Sequence, residues 1–387
     1  MAKEIYTSED SLSSHTGAIK KDEIVALLKT RDTVRIEQLK RRADEVRKAR
    51  VGDKVHLRGI IEFSNYCDKN CLYCGLRKDN ARLKRYRITP DEIFDAAVIA
   101  NELGYRTVVL QSGEDGEYPA DALLGAITRI KKELDLAITL SLGELTFEEY
   151  RNLKDAGADR YLLRFETSDP DLYAKLKPDG DYDKRFECLA WLKGLGYQVG
   201  SGIMTGLEGQ SAESIADDIL LFNDFGLDMV GNGPFIPNPD TPLGSLAGGD
   251  LLTALKVTAL TRLVTQNTHI PATTAIGTIH LEGRQKALAC GANVVMPNVM
   301  PRQYREHYLI YPGKICIKED PRACGACLRN MITGLGRNVA EDHGHGLKSA
   351  VPVILPVPPV PSEVEGSEVE GSEAEGRSEA TKDLDAE

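Results

Sequence analysis

The chain has 387 residues, 42% of them hydrophobic, and a formal net charge of −11. Residues 361–387 carry ten acidic and two basic residues, so the other 360 residues carry a net charge of only −3. This near balance gives no electrostatic reason to expect nucleic-acid binding.

The amino-terminal residues lack the basic region and apolar stretch of a signal peptide, and no apolar run has the length of a membrane-spanning helix. We therefore predict a cytoplasmic protein with no membrane partner. In that compartment, the eight cysteines are more often metal ligands than disulfide partners.

The chain begins with a predicted helical cap at residues 1–54, where apolar residues recur at helical spacing between about residues 20 and 50. Short apolar strands and amphipathic helices then alternate, which is typical of parallel strands joined by helical crossovers. We predict an α/β fold, a (β/α)8 TIM-type barrel, as one domain over residues 55–344. The predicted strands are 55–63, 107–112, 137–142, 160–166, 198–205, 229–235, 271–277 and 293–297.

An open doubly wound sheet is the alternative to this barrel. In barrels, the reactive groups collect at the carboxyl ends of the strands. All eight predicted strands end in polar or glycine-rich residues, such as Gln111-Ser112-Gly113-Glu114 after the second strand. An open sheet does not require polar ends on every strand, so the pattern favours the barrel.

Residues 345–387 form the third predicted region, a disordered tail. Residues 351–361 are proline-rich, and a repeat of Gly, Ser and Glu follows them. Such a composition cannot bury enough apolar surface to offset the entropy of the chain.

Cysteines at Cys-x3-Cys-x2-Cys spacing follow the first strand: Cys67, Cys71 and Cys74. Three thiolates can hold a [4Fe–4S] cluster, which normally has four thiolate ligands. The missing fourth ligand leaves one iron open to a substrate or cofactor. A structural zinc site is one alternative, but it is closed and four-coordinate, and no further Cys or His lies nearby in the sequence. Three unrelated buried cysteines are another, which the polar residues around them disfavour.

This triplet, with Tyr73 before its third cysteine, resembles the radical S-adenosylmethionine (SAM) superfamily. The resemblance implies that a reduced cluster cleaves the C5′–S bond of SAM to give a 5′-deoxyadenosyl radical. It also implies roles for the residues at the strand ends, with Glu166 meeting the methionine amine or the ribose and Arg185 the methionine carboxylate. From the residues alone, Arg185 could instead lie on a helix surface and Glu166 could cap a turn. The implied cofactor-binding residues are Tyr73, Gln111, Ser112, Glu114, Thr139, Arg164, Glu166, Arg185 and Met204.

Longer motifs narrow the resemblance to the HydE family, the maturases that help to build the active-site cluster of [FeFe]-hydrogenase. They include the strand that leads into Cys-Gly-Leu-Arg, the run Arg164-x-Glu166-Thr167-Ser168-Asp169-Pro170, and Met296-Pro297-Asn298. The resemblance covers about residues 20–335. It implies a substrate in which iron is bound by cysteine and carries CO and cyanide. The implied cavity residues, which could equally be packing residues, are Arg58, Thr139, Thr273, Thr274, Met296, Tyr308 and Tyr311.

A second cysteine set, Cys316-x7-Cys324-x2-Cys327, lies beyond the eighth strand. Three thiolates again indicate a cluster with an open position, either [2Fe–2S] or [4Fe–4S]. A zinc site or an empty site is the alternative. By resemblance this site is accessory, because some members of the family lack it. Cys188 and Cys290 are predicted to be core residues.

The family also implies partners: a companion radical SAM tyrosine lyase, a GTPase scaffold and an electron donor. Two alternative functions stay open on the sequence alone. One is another radical SAM barrel enzyme, such as methylornithine synthase or biotin synthase, and the other is a non-catalytic Fe–S scaffold. A scaffold would not need the predicted carboxylate contact of Arg185.

Overall fold

The elements of the barrel alternate along the chain as the sequence predicts. A computed structural model describes residues 19–348, and the predicted tail lies outside this range from residue 349 onward. The strands are β1 (Lys54–Ser64), β2 (Thr107–Ser112), β3 (Ala137–Ser141), β4 (Arg160–Leu162), β5 (Gln198–Ser201), β6 (Met204–Thr205), β7 (Met229–Val230), β8 (Gly233–Pro234), β9 (Val294–Val295) and β10 (Asn338–Val339). The helices are α1 (Lys21–Lys29), α2 (Thr33–Val51), α3 (Pro90–Glu102), α4 (Ala120–Glu133), α5 (Phe147–Asp155), α6 (Pro170–Leu176), α7 (Tyr182–Gly194), α8 (Ala212–Asp224), α9 (Leu251–Thr265), α10 (Thr274–Ile279), α11 (Gly283–Leu288), α12 (Arg302–Arg305) and α13 (Pro321–Gly334).

The strand pairings are parallel and run in a ring. Pairing proceeds from β1 through β2, β3, β4 and β5 to β7, and β9 pairs with β1 on its other side. Two isolated parallel bridges, Met229 to His269 and Pro271 to Val294, join β7 to β9. The seventh position of the ring is therefore filled by an extended segment, and the predicted barrel is confirmed.

The predicted seventh strand, 271–277, is wrong in its extent. Only His269 and Pro271 make bridges, and a helix starts at Thr274. The cause is local, because the side chain of Thr273 accepts a hydrogen bond from the backbone N–H of Ile276 and caps this helix. The β-branched residues Thr273 and Thr274, which indicated a strand, instead cap and begin α10.

The two helices of the N-terminal cap lie where the sequence places them. Ile24 and Leu27 of α1 and Leu39 of α2 are buried, and Asp32 caps α2 by accepting a hydrogen bond from Val34 N at 2.8 Å. Lys256 of α9 donates to the carbonyl of Leu28 at the end of α1, at 3.0 Å. The cap therefore packs on the outside of the barrel, where Lys256 of α9 binds the carboxyl end of α1.

Alternation along the strands separates an apolar outer layer from a polar interior. On β1, Ile61 and Phe63 belong to the main hydrophobic core, while Arg58 and Glu62 lie on the opposite face of the strand and are 4% and 2% exposed. Glu62 aligns with Gln111 of β2, and Arg58 aligns with Thr107. The interior is therefore polar at both ends of β1. At the usual rise per residue, Arg58 and Glu62 are about 13 Å apart along the strand.

The amino-terminal end of the barrel is closed by residues 342–346, which we call the strap. The guanidinium of Arg160 donates to the carbonyl of His343 at 2.6 Å, and that of Arg58 donates to the carbonyl of Gly344 at 3.1 Å. His269 makes a hydrogen bond with the carbonyl of His345 at 3.1 Å. The first residues of the predicted tail, 345–348, therefore contact the barrel floor.

The barrel floor makes stability depend on pH. Burial and the neighbouring Arg58 lower the pKa of His56 to about 4. The unfolded chain binds this proton near pH 6.5, whereas the folded chain binds it near pH 4, so acidification in this window favours unfolding. We expect His56 to reduce the free energy of unfolding by about 3 kcal/mol between these two pH values.

Urea unfolding of the full chain between pH 7 and pH 4.5 measures this effect. His56→Phe should show a shallower decline than the original chain, while His280→Phe, at a position outside the floor, should show the same decline. An equally steep decline in His56→Phe would show that another group causes it.

Within residues 19–348, no helix is both long enough and apolar enough to cross a membrane.

Candidate active site at the mouth of the barrel

The three N-terminal cysteines lie on one loop after β1, and backbone hydrogen bonds anchor that loop on three sides. Asp68 N donates to the carbonyl of Glu114 after β2 at 2.8 Å, and Leu72 N donates to the carbonyl of Leu176 at the end of α6 at 2.9 Å. Gly75 N donates to the carbonyl of Ile310 at 2.8 Å. The loop is therefore fixed at the carboxyl ends of the strands, where barrel active sites form.

All three thiols are partly buried, and none of them is in a disulfide. Burial raises the pKa of Cys67 to about 11. It also raises the pKa values of Cys71 and Cys74, and the neighbouring thiols raise that of Cys74 further. Thiolates at these positions need a nearby positive charge, which iron supplies. The donor set thus fits a cluster bound by three cysteines, and within residues 19–348 no three Cys, His, Asp or Glu side chains converge on a site for a single metal ion.

Glycine is required at the second strand end because the backbone there touches the cysteine loop. A Cβ atom on Gly113 would lie 2.1 Å from the carbonyl oxygen of Tyr66 and 2.7 Å from Cβ of Cys67. Gly143, at the third strand end, has a positive φ of 87°, and a Cβ there would lie 1.9 Å from Cγ of Glu114. Two Gly-Glu pairs therefore bring their carboxylates together beside the cysteines.

Arg185 of α7 lies between these two carboxylates. Its Nε is 2.7 Å from Oε1 of Glu144, and its Nη2 is 3.2 Å from Oε1 of Glu114. Burial alone would lower the pKa of Arg185, which is 4% exposed, but the two carboxylates hold it above its usual value. The guanidinium predicted to meet the methionine carboxylate is thus already bound by two carboxylates of the protein.

Arg164 and Glu166 form a second ion pair at the mouth. Nε and Nη2 of Arg164 donate to the two oxygens of Glu166 at 2.9 and 2.8 Å, which is a bidentate geometry. Glu166 has a positive φ of 68°, a conformation that costs a non-glycine residue about 1–3 kcal/mol. Its backbone bridges to Ile203, next to Met204 on β6. Strain of this kind often marks functional positions, and here it directs a carboxylate into the mouth.

The interior of the mouth contains a buried ion pair that the sequence analysis did not assign. Lys314 is paired with Oε1 of Glu62, while Oε2 of Glu62 accepts a hydrogen bond from Asn298 at 2.6 Å. The ammonium of Lys314 lies 5.3 Å from the ring centroid of Tyr308, and the side chain of Gln111 is close enough to Tyr308 to influence its pKa. Two of the predicted residues, Gln111 and Tyr308, therefore meet at this ion pair.

The remaining predicted residues lie at different depths. Arg58 is on the floor, and Thr139 is buried in the barrel with a hydroxyl that has no hydrogen-bond partner within the described part of the chain. Burial raises the pKa of Tyr311 to about 12, and it lies close enough to Arg164 to interact electrostatically. The others are Ser112, which donates to the carbonyl of Gly113, Thr273, which caps α10, Met296, which is partly buried, and Tyr73, which packs on a small apolar cluster near Leu176.

Four charged residues of the mouth were missed by the sequence analysis: Glu62, Glu144, Lys177 and Lys314. Glu144 follows Gly143 at a strand end, as Glu114 follows Gly113, so the repeated Gly-Glu pair was a usable signal. Glu62 stands as a lone acid inside an apolar strand, which also indicates a buried partner. Lys177 and Lys314 lie in loops, where no pattern distinguishes them from surface lysines.

The second cysteine set is only partly assembled. Cys316 has a positive φ of 62°, and a hydrogen bond from Cys324 lowers the pKa of Cys316 to about 6. Arg284 lies 3.6 Å from the sulfur of Cys316 and donates to the hydroxyl of Thr274 at 3.3 Å. Cys327 is exposed, one helical turn from Cys324 on α13. Cys188 and Cys290 are buried, as predicted for core residues.

A separate cavity of about 800 Å³ opens on the outer side of the cysteine loop, between α4, α5 and α7. Lys69, Glu114 and Glu144 form part of its wall, and Leu123 and Trp191 form part of its apolar side. The thiols are not among its lining residues. We therefore place the chemistry at the mouth of the barrel, where the charged side chains converge.

Comparison with known proteins agrees with this geometry. The chain matches the radical SAM superfamily over residues 61–222. It is 53% identical over 308 residues to the [FeFe] hydrogenase maturase subunit HydE of Thermotoga maritima, covering 80% of this chain and 88% of that protein. It is 30% identical over 276 residues to the 3-methylornithine synthase of Methanosarcina acetivorans, covering 71% and 78% of the two chains.

Two solved structures share the architecture. A crystal structure of methylornithine synthase (PylB) has a TM-score of 0.73 at 26% identity and covers 84% of this chain and 95% of that one. A crystal structure of HydG, a maturase of the [FeFe]-hydrogenase, has a TM-score of 0.68 at 21% identity, covers 81% and 71%, and supports the fold alone. The fold, the thiol loop and the level of identity to HydE together show that the chain is a radical SAM enzyme that belongs to the HydE family of [FeFe] hydrogenase maturases.

Proposed function

We propose that this enzyme cleaves SAM reductively and acts on a cysteine-bound iron complex that carries CO and cyanide, in assembly of the [FeFe]-hydrogenase active-site cluster. The observation that carries the proposal is the anchored loop of three partly buried thiols beside the paired carboxylates of the barrel mouth. The identity to HydE of Thermotoga maritima supports the hydrogenase pathway.

Each group at the mouth has a role in this proposal. Cys67, Cys71 and Cys74 would hold a [4Fe–4S] cluster, which together with SAM supplies the 5′-deoxyadenosyl radical. Glu114 and Glu144 present carboxylate oxygens to the methionine amine, and Arg185 holds both in place. Tyr73 shields the cysteine loop from solvent. These residues bind and orient the cofactor.

The interior of the barrel would receive the iron complex. The complex is anionic, and Arg164 and Lys314 put two cationic groups in the mouth, each balanced by one carboxylate. Tyr308 is 1% exposed and lies between Gln111 and Lys314, where it excludes water. A reactive intermediate is protected in such an enclosed, polar interior.

The proposal includes partners and a compartment. The substrate would come from a companion radical SAM tyrosine lyase, the product would pass to a GTPase scaffold, and an electron donor would reduce the cluster. All of these steps belong in the cytoplasm.

The test uses the anaerobically reconstituted full chain with dithionite, SAM and a synthetic iron complex of cysteine, CO and cyanide. We expect 5′-deoxyadenosine to form, the iron complex to stimulate its formation, and the product to activate a hydrogenase when the two companion maturases are present. Formation of 5′-deoxyadenosine that does not respond to the iron complex would indicate another radical SAM barrel enzyme. Absence of 5′-deoxyadenosine would indicate a non-catalytic scaffold.

We propose that the second cysteine set binds an accessory Fe–S cluster. A variant with serine at Cys316, Cys324 and Cys327 should retain SAM cleavage within about a factor of three, because all three side chains lie outside the thiol loop of the mouth. The expected change is a lower iron content per chain. A complete loss of 5′-deoxyadenosine in a variant that retains the N-terminal cluster signal would show that this site is essential.

A further inference from the structure

The turn that follows Glu166 is held by a buried acid that the proposed chemistry does not use. Asp218 lies on the buried face of α8 and is 0% exposed. Its Oδ1 accepts a hydrogen bond from the backbone N–H of Ser168 at 2.6 Å. This contact joins α8 to the turn beyond the carboxyl end of β4, across 50 positions of the chain.

Asp218 is an unfavourable residue for a protein core. Its other oxygen, Oδ2, has no hydrogen-bond partner within residues 19–348. Burial raises the pKa of Asp218 to about 7 against the opposing effect of the hydrogen bond from Ser168, and the nearby Asp217 and Asp169 add to the rise. A buried carboxyl group without a cation costs free energy that an apolar side chain at the same place would not. The contribution of Asp218 to the structure is therefore its hydrogen bond to Ser168.

Ser168 is held from a second side as well. Its carbonyl accepts a hydrogen bond from the hydroxyl of Tyr182 at 2.8 Å, and Tyr182 is the first residue of α7. Both backbone polar groups of Ser168 are thus bound by side chains, one from α7 and one from α8. Such bonds replace the ladder bonds that a backbone loses beyond the end of a strand. The turn after β4 is therefore fixed by two helices.

On one side of this turn lies the strained residue Glu166. Thr167, which is fully buried, is the only residue between Glu166 and Ser168. The backbone N–H of Glu166 donates to the carbonyl of Gly202 at 3.0 Å while its φ is 68°. A non-glycine residue keeps such a backbone conformation only where its surroundings impose it. Fixing Ser168 two residues later is one way in which the fold imposes it.

On the other side of the turn, α6 leads to the cysteine loop. Asp169 caps α6, because its carboxylate accepts a hydrogen bond from Leu172 N at 3.0 Å. At the far end of α6, the carbonyl of Leu176 accepts the hydrogen bond from Leu72 N that anchors the cysteine loop. Along the chain, Ser168 therefore lies between a carboxylate of the mouth and the helix that holds the thiol loop.

We propose that Asp218 is a positioning residue of the mouth: by binding Ser168, it keeps Glu166 in its strained conformation and α6 against the cysteine loop. It acts through these groups and needs no contact with the cofactor. The inference rests on the proposed use of SAM, with Glu166 as one of the residues that bind it. Without the hydrogen bond, only a fraction of the molecules hold the mouth in the competent conformation, and the apparent affinity for SAM falls by that fraction.

The test compares Asp218→Ala, which lacks the acceptor oxygen, with Asp218→Asn, which keeps it. SAM binding to the cluster-loaded full chain is measured by equilibrium dialysis without reductant, so the readout does not depend on turnover. We expect Asp218→Ala to weaken SAM binding about tenfold, which corresponds to a competent conformation in about one molecule in ten. Asp218→Asn should bind SAM within about threefold of the original chain.

A second measurement follows the turn itself and needs no SAM. Backbone amide hydrogen exchange over residues 165–176, measured by mass spectrometry, reports whether the N–H of Ser168 stays bonded. In Asp218→Ala this segment should exchange at least about tenfold faster, and in Asp218→Asn at nearly the original rate. Iron content and thermal unfolding show whether each variant is intact.

Two further variants complete the comparison. Asp217→Ala removes the exposed neighbour of Asp218, which is paired with Lys21 at 2.6 Å on the surface, and should change neither measurement. Tyr182→Phe keeps the ring but removes the hydrogen bond to the carbonyl of Ser168, so it should weaken SAM binding about threefold. If Asp218→Ala does not fold, Asp218→Leu, which fills the space without an acceptor, replaces it.

The outcomes separate this inference from the proposed function. Unchanged SAM binding in folded Asp218→Ala would overturn the inference. An equal loss in Asp218→Asn would also overturn it, because the acceptor oxygen would then not be the cause. A loss of thermal stability alone, with binding and exchange unchanged, would leave Asp218 a purely structural role. If the original chain itself fails to bind SAM, the proposed function fails, while the exchange measurement still decides whether Asp218 holds the turn.

Discussion

Replacing Cys74 with alanine is expected to abolish formation of 5′-deoxyadenosine. Alanine has no group that can bind iron, so only Cys67 and Cys71 would remain as thiolate ligands on the loop. Two cysteines cannot hold the cluster as three do. The measurement is 5′-deoxyadenosine after anaerobic incubation with dithionite and SAM, together with the EPR signal of the reduced cluster and its response to SAM.

The matched control for this variant is Cys290→Ala. Cys290 is fully buried in the core, and its thiol donates to the carbonyl of Ala287 at 3.5 Å, away from the mouth. It should retain the EPR signal and the cleavage activity. Cleavage at the normal rate in Cys74→Ala would refute the assignment of Cys74 as a ligand of the catalytic cluster.

Replacing Glu62 with alanine is expected to lower the free energy of unfolding by about 3–5 kcal/mol, the range for breaking a buried ion pair. Glu62 is 2% exposed, and its loss leaves Lys314 without its carboxylate and Asn298 without its acceptor. The cost arises because Lys314 is then a charge without a partner inside the barrel. Urea unfolding monitored by circular dichroism measures the change.

An exposed ion pair provides the comparison. Arg322 and Glu102 are 2.8 Å apart with side chains that are 64% and 49% exposed, so Glu102→Ala should cost less than about 1 kcal/mol. The double variant Glu62→Leu with Lys314→Met removes both buried charges and should recover most of the stability lost in Glu62→Ala. A loss below 1 kcal/mol in Glu62→Ala would mean that Lys314 leaves the interior and reaches water.

The sequence was sufficient for the fold because the signals that define a barrel are repeated. Strand β2 has the predicted bounds, 107–112, because an apolar run rich in β-branched residues and followed by polar residues indicates a strand that ends where the polar residues begin. The seventh strand failed because Thr273 and Thr274 have high strand propensity but also cap and start helices, and the local hydrogen bond of Thr273 decides between the two. Strand β10 spans only two residues, too few for a periodic pattern.

Contacts within the site could be predicted where both residues lie at strand ends. They could not be predicted where one of the two residues lies in a distant loop. Glu166 and Arg164 follow β4 closely, so their meeting at the mouth follows from topology. The partner of Glu62 is Lys314, 252 positions later, and no local pattern links them. The engagement of Arg185 with two carboxylates was equally hidden, because it depends on how α7 packs against two strand ends.

The strap has a consequence for the access of reactants and partner proteins to the enzyme. Residues 342–346 cover the amino-terminal end of the strands, so within residues 19–348 we expect reactants and products to pass through the end that holds the thiol loop. Under the proposed function, an electron donor and a protein that collects the product would then compete for this end of the barrel. Reduction of the cluster and transfer of the product would then be sequential, because one partner must dissociate before the other can bind.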